Sequence, residues 1–267
     1  MKARVAGIEI AYDDVGHGTP LVLLHPFPLQ RAYWAPQVGA LVEQARCIAP
    51  DLRGFGGSTV DGPFSMDRYA DDVAGLMDAL AIERAVVVGV SMGGYVALAL
   101  WRRHRARIRA LVLANTRATA DTEGGVQKRR ELIALARDKG SDAVAAAQMP
   151  TGVGRTTREK RPDITRALHD MIVNAPVPGI IGATEAMMVR PDSTPLLATI
   201  DVPTLVVAAD EDAIISVDEV RAMQERIAGS RLEVIAGAGH WASYERPAAF
   251  NQLLAELLAT QRDERGR

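Results

Sequence analysis

The stretch AVVVGVSMGG, residues 85–94, decides the fold of this chain. Its first four residues are all apolar, as in a strand that is covered on both faces, and the residues after it follow a helical pattern. Between the two lies Gly89-Val90-Ser91-Met92-Gly93, a Gly-x-Ser-x-Gly sequence in a strand–turn–helix context. Glycines suit its two ends because a Cβ there would collide with the neighbouring strand or helix. The turn is expected to lift Ser91 clear of the sheet edge, where a serine is a nucleophile rather than a structural hydroxyl.

Apolar runs and helical patterns alternate on both sides of this stretch. Strands are predicted at 5–12, as two short segments, and at 21–24, 46–50, 85–88, 110–114, 204–208 and 232–235. Helices are predicted at 34–43, after a cap at Ser65, after Ser91 and at 248–261. This alternation indicates βαβ units, and therefore an α/β protein with a mostly parallel central sheet and helices on both faces.

One segment breaks the alternation. Between Asn115 and Val202 the sequence contains only helical patterns, which glycines and prolines separate. These patterns lie at 128–139, 143–148, 165–174 and 180–189. A helical insertion between two strands is expected to cover the carboxyl edge of the sheet. We therefore expect a core formed by 1–116 and 201–267, and a helical cap formed by 117–200 and inserted before the penultimate strand.

The bulk composition argues against several classes of protein. A net charge of −2 over 267 residues does not favour nucleic acid as a main partner. The apolar runs are too short to cross a bilayer, and residues 1–4 lead into alternating sequence rather than an apolar signal segment. Cys47 is the only cysteine, and its strand-like surroundings predict a buried, inert thiol. We expect a cytoplasmic protein with no membrane partner.

A serine nucleophile needs a base, and an acid that orients the base. Of the five histidines, only His25, after an early strand, and His240, in a glycine-rich loop after the last strand, are placed to approach Ser91. The acid is expected after the penultimate strand. Asp212 is favoured there over Asp210, because the loop must turn before a carboxylate can face a histidine. The predicted nucleophile, base and orienting acid are therefore Ser91, His240 and Asp212.

Attack on a carbonyl carbon also needs N–H donors for the developing oxyanion. The backbone N–H of Met92 begins the helix after the nucleophile, where the helix dipole favours negative charge. A second donor is expected from the loop His25-Pro26-Phe27-Pro28. Because proline has no N–H, Phe27 is the natural donor in that loop.

These motifs together resemble the α/β-hydrolase superfamily, in its lid-bearing branch. The resemblance spans essentially the whole chain and rests on residues 25–28, residues 51–58 (DLRGFGGS), residues 89–94, Asp212 and Gly239-His240. The chain order of serine, acid and histidine is also that of the family. One departure is Pro26, where the family usually has a glycine. The serine separates this chain from the related haloalkane dehalogenases and epoxide hydrolases, which have an aspartate at this position.

Within the superfamily, the segments 28–29, 34–37 and 91–94 are similar to those of 3-oxoadipate enol-lactonases, small carboxylesterases and cofactor-free haloperoxidases. The resemblance implies hydrolysis of a small-molecule carboxylic ester or lactone through an acyl-enzyme. Two alternatives stay open. One is a perhydrolase or haloperoxidase, in which peroxide captures the same acyl-enzyme. The other is a non-catalytic receptor that binds a small ligand on a hydrolase fold.

Five residues are candidates for the substrate pocket, and structural roles are the alternative. They are His25, Trp34, Arg117, Met187 and Trp241. The alternative for the two tryptophans is packing at the edge of the core, and for Met187 it is packing of a cap helix. Arg117 could bind a substrate carboxylate, and its alternative is a surface position. The histidines and acids lack metal-ligand spacing, and the glycines at 54–57 lack the strand–helix setting of a phosphate loop. No metal and no cofactor are expected.

Overall fold

A computed structural model of the chain describes residues 1–262. Residues 263–267, the end of the predicted core segment, lie outside this range. The strands are β1 Lys2–Val5, β2 Ile8–Val15, β3 Thr19–Leu24, β4 Ala45–Pro50, β5 Ala85–Val90, β6 Ile108–Ala114, β7 Thr204–Ala209 and β8 Arg231–Ile235. Within the described range they form one sheet in the order β1-β2-β4-β3-β5-β6-β7-β8.

The sheet is mostly parallel, as predicted. Strand β2 pairs antiparallel with β1 and with β4, and the pairings from β4 through β3, β5, β6 and β7 to β8 are all parallel. Every residue of β5 is buried, which is the pattern of a strand covered on both faces. Because parallel strands end at the same edge, the loops after β5, β7 and β8 lie at one edge of the sheet.

Eleven α-helices accompany the sheet in the described residues. They are α1 Ala35–Leu41, α2 Met66–Ala79, α3 Met92–His104, α4 Glu123–Gly152, α5 Arg155–Lys160, α6 Pro162–Val173, α7 Val177–Met188, α8 Thr194–Leu197, α9 Val217–Gln224, α10 Ala242–Glu245 and α11 Pro247–Arg262. A 3-10 turn at Arg31–Trp34 precedes α1. The predicted cap of α2 is confirmed, because the Ser65 hydroxyl accepts the Arg68 N–H at 3.0 Å.

Helices α4 to α8 lie between β6 and β7, so the helical insertion precedes the penultimate strand, as predicted. Gly140 has non-helical angles inside α4 (φ 74°, ψ −172°), at the break predicted between 128–139 and 143–148. The prediction was wrong in lacking α5 and α8 within the insertion, and it also lacked α9 and α10 in the core. The six residues RTTREK of α5 have no apolar repeat, and the four residues of α8 are too few to show a helical period.

Cys47 lies in β4 and is fully buried. The predicted burial of this thiol is confirmed, and burial raises its pKa to about 11, which favours the unreactive protonated form. Among the described helices, none is long and apolar enough to cross a membrane.

Candidate active site

The turn between β5 and α3, residues 89–94, is here called the Ser91 turn. Ser91 has a positive φ (φ 52°, ψ −114°), a strained conformation for a residue with a Cβ. Strand β3 approaches the turn closely, since a Cβ on Gly93 would lie 2.1 Å from the Leu24 carbonyl oxygen. The Ser91 carbonyl oxygen accepts the Thr116 hydroxyl at 2.8 Å. The turn and its neighbours therefore fix the serine at the carboxyl edge of the sheet.

The loop between β8 and α10, residues 236–241, is here called the His240 loop. His240 is 4% exposed, and its ring lies between two side chains from other loops at this edge of the sheet. Its Nε2 lies 2.7 Å from Ser91 Oγ, and its Nδ1 lies 2.8 Å from Asp212 Oδ2. The three side chains that the sequence singled out therefore form one hydrogen-bonded chain.

The carboxylate of Asp212, in the loop after β7, is completely buried. Its Oδ1 accepts the N–H groups of Ile214 and Ile215, at 2.8 and 3.0 Å. Burial by itself would raise the pKa of Asp212, but the charge and hydrogen bond of His240, with the other donors, outweigh it and hold the pKa below its ordinary value. Asp210, the alternative acid, instead accepts the Gly237 N–H at 2.7 Å.

Asn115, directly after β6, makes a contact with the acid that the sequence does not predict. Its side-chain Nδ2 donates to Asp212 Oδ2 at 2.9 Å, beside the bond from His240. The sequence predicts strand 110–114 but no contact for the residue after it. The neighbouring position of β6 and β7 brings the two side chains together, and the order of strands in a sheet is not written in either segment.

The two predicted oxyanion donors follow neighbouring strands, Phe27 after β3 and Met92 after β5. Leu24, at the end of β3, pairs with Gly89, so the loop 25–28 begins beside the Ser91 turn. Among the described residues, the N–H groups of Phe27 and Met92 have no hydrogen-bond acceptor.

Two of the five predicted pocket residues have structural contacts. His25 is fully buried, with Nε2 accepting the Leu52 N–H at 2.9 Å and Nδ1 lying 3.0 Å from the Pro26 carbonyl oxygen. Burial lowers the pKa of this imidazole, which favours the neutral ring that these two bonds require. Trp34 is also fully buried and packs against the Phe250 ring at a centroid distance of 6.3 Å. Neither ring nitrogen of His25 is free to bind a substrate.

The other three lie in or against the helical insertion. Arg117 Nη2 donates to the Ile214 carbonyl oxygen at 2.7 Å, next to the Asp212 loop. Met187 is 2% exposed in α7. Trp241 is fully buried against α4, where a Cβ on Gly152 would lie 2.3 Å from its ring. Met187 and Trp241 are therefore packed as their structural alternatives expect, whereas Arg117 is partly buried and also pairs with Glu219 at 3.2 Å.

In the described part of the chain, no three His, Cys, Asp or Glu side chains form a group that could hold a metal ion. The chemistry that the site supports comes from its hydrogen-bonded chain. An imidazole between a hydroxyl and a buried carboxylate can accept the hydroxyl proton, and the carboxylate stabilises the imidazolium that forms. Such a chain activates the serine oxygen for attack on an electrophilic carbon.

Known proteins with similar sequences and structures identify the family. The sequence model of the family described as alpha/beta hydrolase fold matches residues 19–247. The chain is 31% identical over 222 residues to 3-oxoadipate enol-lactonase 1 of Acinetobacter baylyi. The aligned region covers 83% of this chain and 82% of that protein.

Two solved structures extend the comparison. A thermophilic esterase from Thermogutta terrifontis has a TM-score of 0.95 and 37% identity, over 97% of this chain and 98% of that chain. The enol-lactonase from Burkholderia xenovorans LB400 has a TM-score of 0.90 and 32% identity, over 97% of this chain and 100% of that chain. This chain belongs to the α/β-hydrolase fold family. Its esterase and enol-lactonase relatives support hydrolase activity on a small-molecule substrate.

Proposed function

We propose that the protein is a serine hydrolase that cleaves a carboxylic ester or a lactone through an acyl-enzyme on Ser91. One observation carries the proposal: a single imidazole lies 2.7 Å from the Ser91 hydroxyl and 2.8 Å from the Asp212 carboxylate. A serine hydroxyl is a weak nucleophile unless an adjacent base takes its proton. The esterase and enol-lactonase relatives favour oxygen esters as the substrate class.

Acylation begins when Ser91 Oγ attacks the carbonyl carbon and His240 Nε2 takes the hydroxyl proton. The carbonyl π electrons move to oxygen, and the resulting oxyanion accepts hydrogen bonds from the N–H groups of Phe27 and Met92. One donor of this kind contributes about 3 kcal/mol to lowering the barrier. The tetrahedral intermediate then expels the alkoxide, to which His240 returns the proton. In a lactone the leaving alcohol stays attached to the acyl group.

Deacylation repeats these steps with water as the nucleophile. His240 takes a proton from water as the oxygen attacks the acyl carbon, and it returns the proton to Ser91 Oγ when the acid leaves. Asp212 holds the imidazole through Nδ1 and stabilises its charged form in both halves of the reaction. The lowered pKa of Asp212 supports this role, because the carboxylate is ionised whenever His240 is required to accept a proton.

We further propose that residues 117–200 act as the cap of this site, as the sequence predicts. The contact of the insertion with the His240 loop supports this, since the His240 N–H donates to the Gly152 carbonyl oxygen at 3.0 Å. A cap over the carboxyl edge would exclude water from the acyl-enzyme and set the size of the acyl group that fits.

The test is hydrolysis of a series of p-nitrophenyl esters, from acetate to decanoate, by wild type and by Ser91→Ala. We expect wild-type turnover with an optimum chain length, and a loss of about six orders of magnitude in Ser91→Ala with an unchanged melting temperature. Ser141→Ala is the matched control, because the Ser141 hydroxyl donates to the Val173 carbonyl oxygen within the insertion. It should keep wild-type turnover. Persistent turnover by purified Ser91→Ala would contradict the proposal.

The two alternative functions give different results in this test. A perhydrolase would halogenate a substrate only when both peroxide and an organic acid are supplied, and would again depend on Ser91. A receptor would hydrolyse no ester or lactone and would not react with an active-site phosphonate. Labelling by the phosphonate without ester turnover would point to a lactone or to peroxide as the missing substrate.

A further inference from the structure

Glu245, the last residue of α10, is a buried carboxyl group that the proposed mechanism does not use. It is 1% exposed and shortly follows His240 in the chain. Removing a carboxyl group from water is unfavourable unless hydrogen bonds replace its hydration. Buried Glu245 therefore needs hydrogen-bond donors from the protein.

Each carboxylate oxygen of Glu245 accepts a hydrogen bond from a different segment. Oε1 accepts the N–H of Gly239, the residue before His240, at 3.0 Å. Oε2 accepts the N–H of Gly154, between α4 and α5, at 2.9 Å. The two glycines are in backbone contact, since a Cβ on Gly239 would lie 2.3 Å from the Gly154 nitrogen. One side chain therefore joins the His240 loop to the helical insertion.

Segment 152–156 of the insertion makes further hydrogen bonds to the loops of the base and the acid. The Gly152 carbonyl oxygen accepts the His240 N–H. Glu211, the neighbour of Asp212 in the chain, accepts the Thr156 N–H at 2.7 Å and the Thr156 hydroxyl at 2.5 Å. Glu245 and Glu211 thus attach the same short segment to the two loops that carry His240 and Asp212.

We propose that Glu245 is a positioning residue that fixes the His240 loop against segment 152–156, so that His240 stays between Ser91 and Asp212. This role rests on the proposed function of Ser91 as the nucleophile. The imidazole must keep two hydrogen bonds of fixed direction at once, and a displacement of about 1 Å in such a site costs up to about 100-fold in rate. Glu245 touches no reacting atom and acts through the backbone next to His240.

The surroundings of the carboxyl group are consistent with this role. Burial raises the pKa of Glu245, and hydrogen bonds from Thr157, Gly239 and Gly154 only partly oppose the rise. The adjacent guanidinium of Arg246 donates to the Gly237 carbonyl oxygen and to the Thr157 hydroxyl oxygen. The donors to the carboxylate oxygens of Glu245 that these contacts give are therefore neutral groups, and the Arg246 guanidinium donates to its backbone carbonyl oxygen at 2.8 Å.

Glu245→Gln tests the role. It keeps the shape of the side chain but replaces one acceptor oxygen with an NH₂ group, so one of the two glycine N–H groups faces a donor in either orientation. We expect kcat for the preferred p-nitrophenyl ester to fall about 10- to 100-fold while KM stays within about twofold. The low-field proton resonance of the His240 Nδ1–Asp212 hydrogen bond is expected to shift or broaden.

Glu131→Gln is the matched control. Glu131 is exposed in α4, far from the positioning contacts in the chain, and a glutamine there keeps an oxygen that can accept the Gln127 side-chain N–H, now at 3.0 Å. We expect kcat and the low-field resonance to match those of wild type. A fall in kcat that is equal in both variants, or a Glu245→Gln enzyme with wild-type kcat, overturns the positioning role.

Two further variants make the result unambiguous. If Glu245→Gln does not fold, Gly154→Ala replaces it, since the added Cβ would lie 2.6 Å from the Gly239 nitrogen and push apart the two segments that Glu245 joins. Wild-type kcat in Gly154→Ala would then overturn the role. Ser91→Ala is assayed in the same series. Turnover by Ser91→Ala would refute the proposed function, whereas an inactive Ser91→Ala beside a fully active Glu245→Gln refutes the positioning role alone.

Discussion

The Ser91 turn and the His240 loop meet at one hydrogen bond but are held in different ways. The turn is formed by the strand directly before it and the helix directly after it, and its glycines lie where the backbone of β3 and the Thr116 side chain approach it. The His240 loop is fixed from far away in sequence. Gly154 contributes to it through Glu245, and Asp212 binds the imidazole from the loop after β7.

This difference shows which parts of such a site a local sequence can encode. A strand–turn–helix unit specifies its own geometry, because short-range sterics leave few conformations open to it. A loop that follows an edge strand has no such restriction and depends on tertiary hydrogen bonds. We therefore expect changes at the glycines of the turn to act first on folding and changes around the His240 loop to act first on rate.

After Ser91→Ala, the largest effect is expected at Asp212, the acid that binds the His240 imidazole. Asp212→Asn keeps the shape of the side chain but removes the acceptor that selects the Nδ1–H tautomer of His240. Loss of this tautomer should lower kcat about 10⁴-fold while the melting temperature changes little, measured with the preferred p-nitrophenyl ester.

Asp210→Asn is the control for that variant, because Asp210 binds the Gly237 N–H and lies two positions from Asp212. Its kcat should stay within about threefold of wild type. Equal losses in the two variants would mean that the acid has not been assigned correctly.

A change at the Ser91 turn is expected to act on stability. In Gly93→Ala the new Cβ would lie 2.1 Å from the Leu24 carbonyl oxygen, and overpacking of this kind costs about 3 kcal/mol or more. Gly39→Ala in α1 is the matched control, since a Cβ there meets no atom within 4 Å and alanine favours a helix by about 1 kcal/mol. Urea unfolding should show a lower free energy of unfolding for Gly93→Ala and no decrease for Gly39→Ala. A fully stable Gly93→Ala would contradict the description of the turn.

The smallest effect is a pH dependence of stability at Glu245. Its pKa in the folded chain is raised above 4.5, the ordinary value, so the folded state binds more protons than the unfolded state between these two values. Wild type should therefore lose stability, relative to Glu245→Gln, as pH rises through this window. The free energy of unfolding falls by about 1.4 kcal/mol for each pH unit of this window, and the melting temperature falls by roughly 2–4 °C with it. Thermal melts from pH 4.5 upward measure it, and a difference that grows in favour of wild type would contradict the assigned direction.

The sequence predicted those features of the fold that depend on short-range pattern. The apolar runs located the eight strands within a few residues, and Ser65 marked the start of α2. The helical insertion was found because strands are missing between 115 and 202. Helices α5 and α8 were missed because their short sequences contain no apolar repeat, and tertiary packing stabilises such segments.

The candidate site was predictable where a motif contained its own geometry. Ser91, His240 and Asp212 could be selected from loops at the ends of strands, and the structure brings their side chains within hydrogen-bond distance. The contacts of Asn115 and Glu245 could not be selected in this way. They depend on the order of strands in the sheet and on where the insertion touches the core, and neither is a property of a local segment.

The central claim is that Ser91 forms the covalent intermediate. Incubation of wild type with a fluorophosphonate, followed by mass spectrometry of the peptides, tests it most directly. We predict one phosphonyl group per chain, on Ser91, with loss of ester turnover in proportion to labelling and no labelling of Ser91→Ala. A label on another residue, or ester turnover that survives complete labelling of Ser91, would contradict the account.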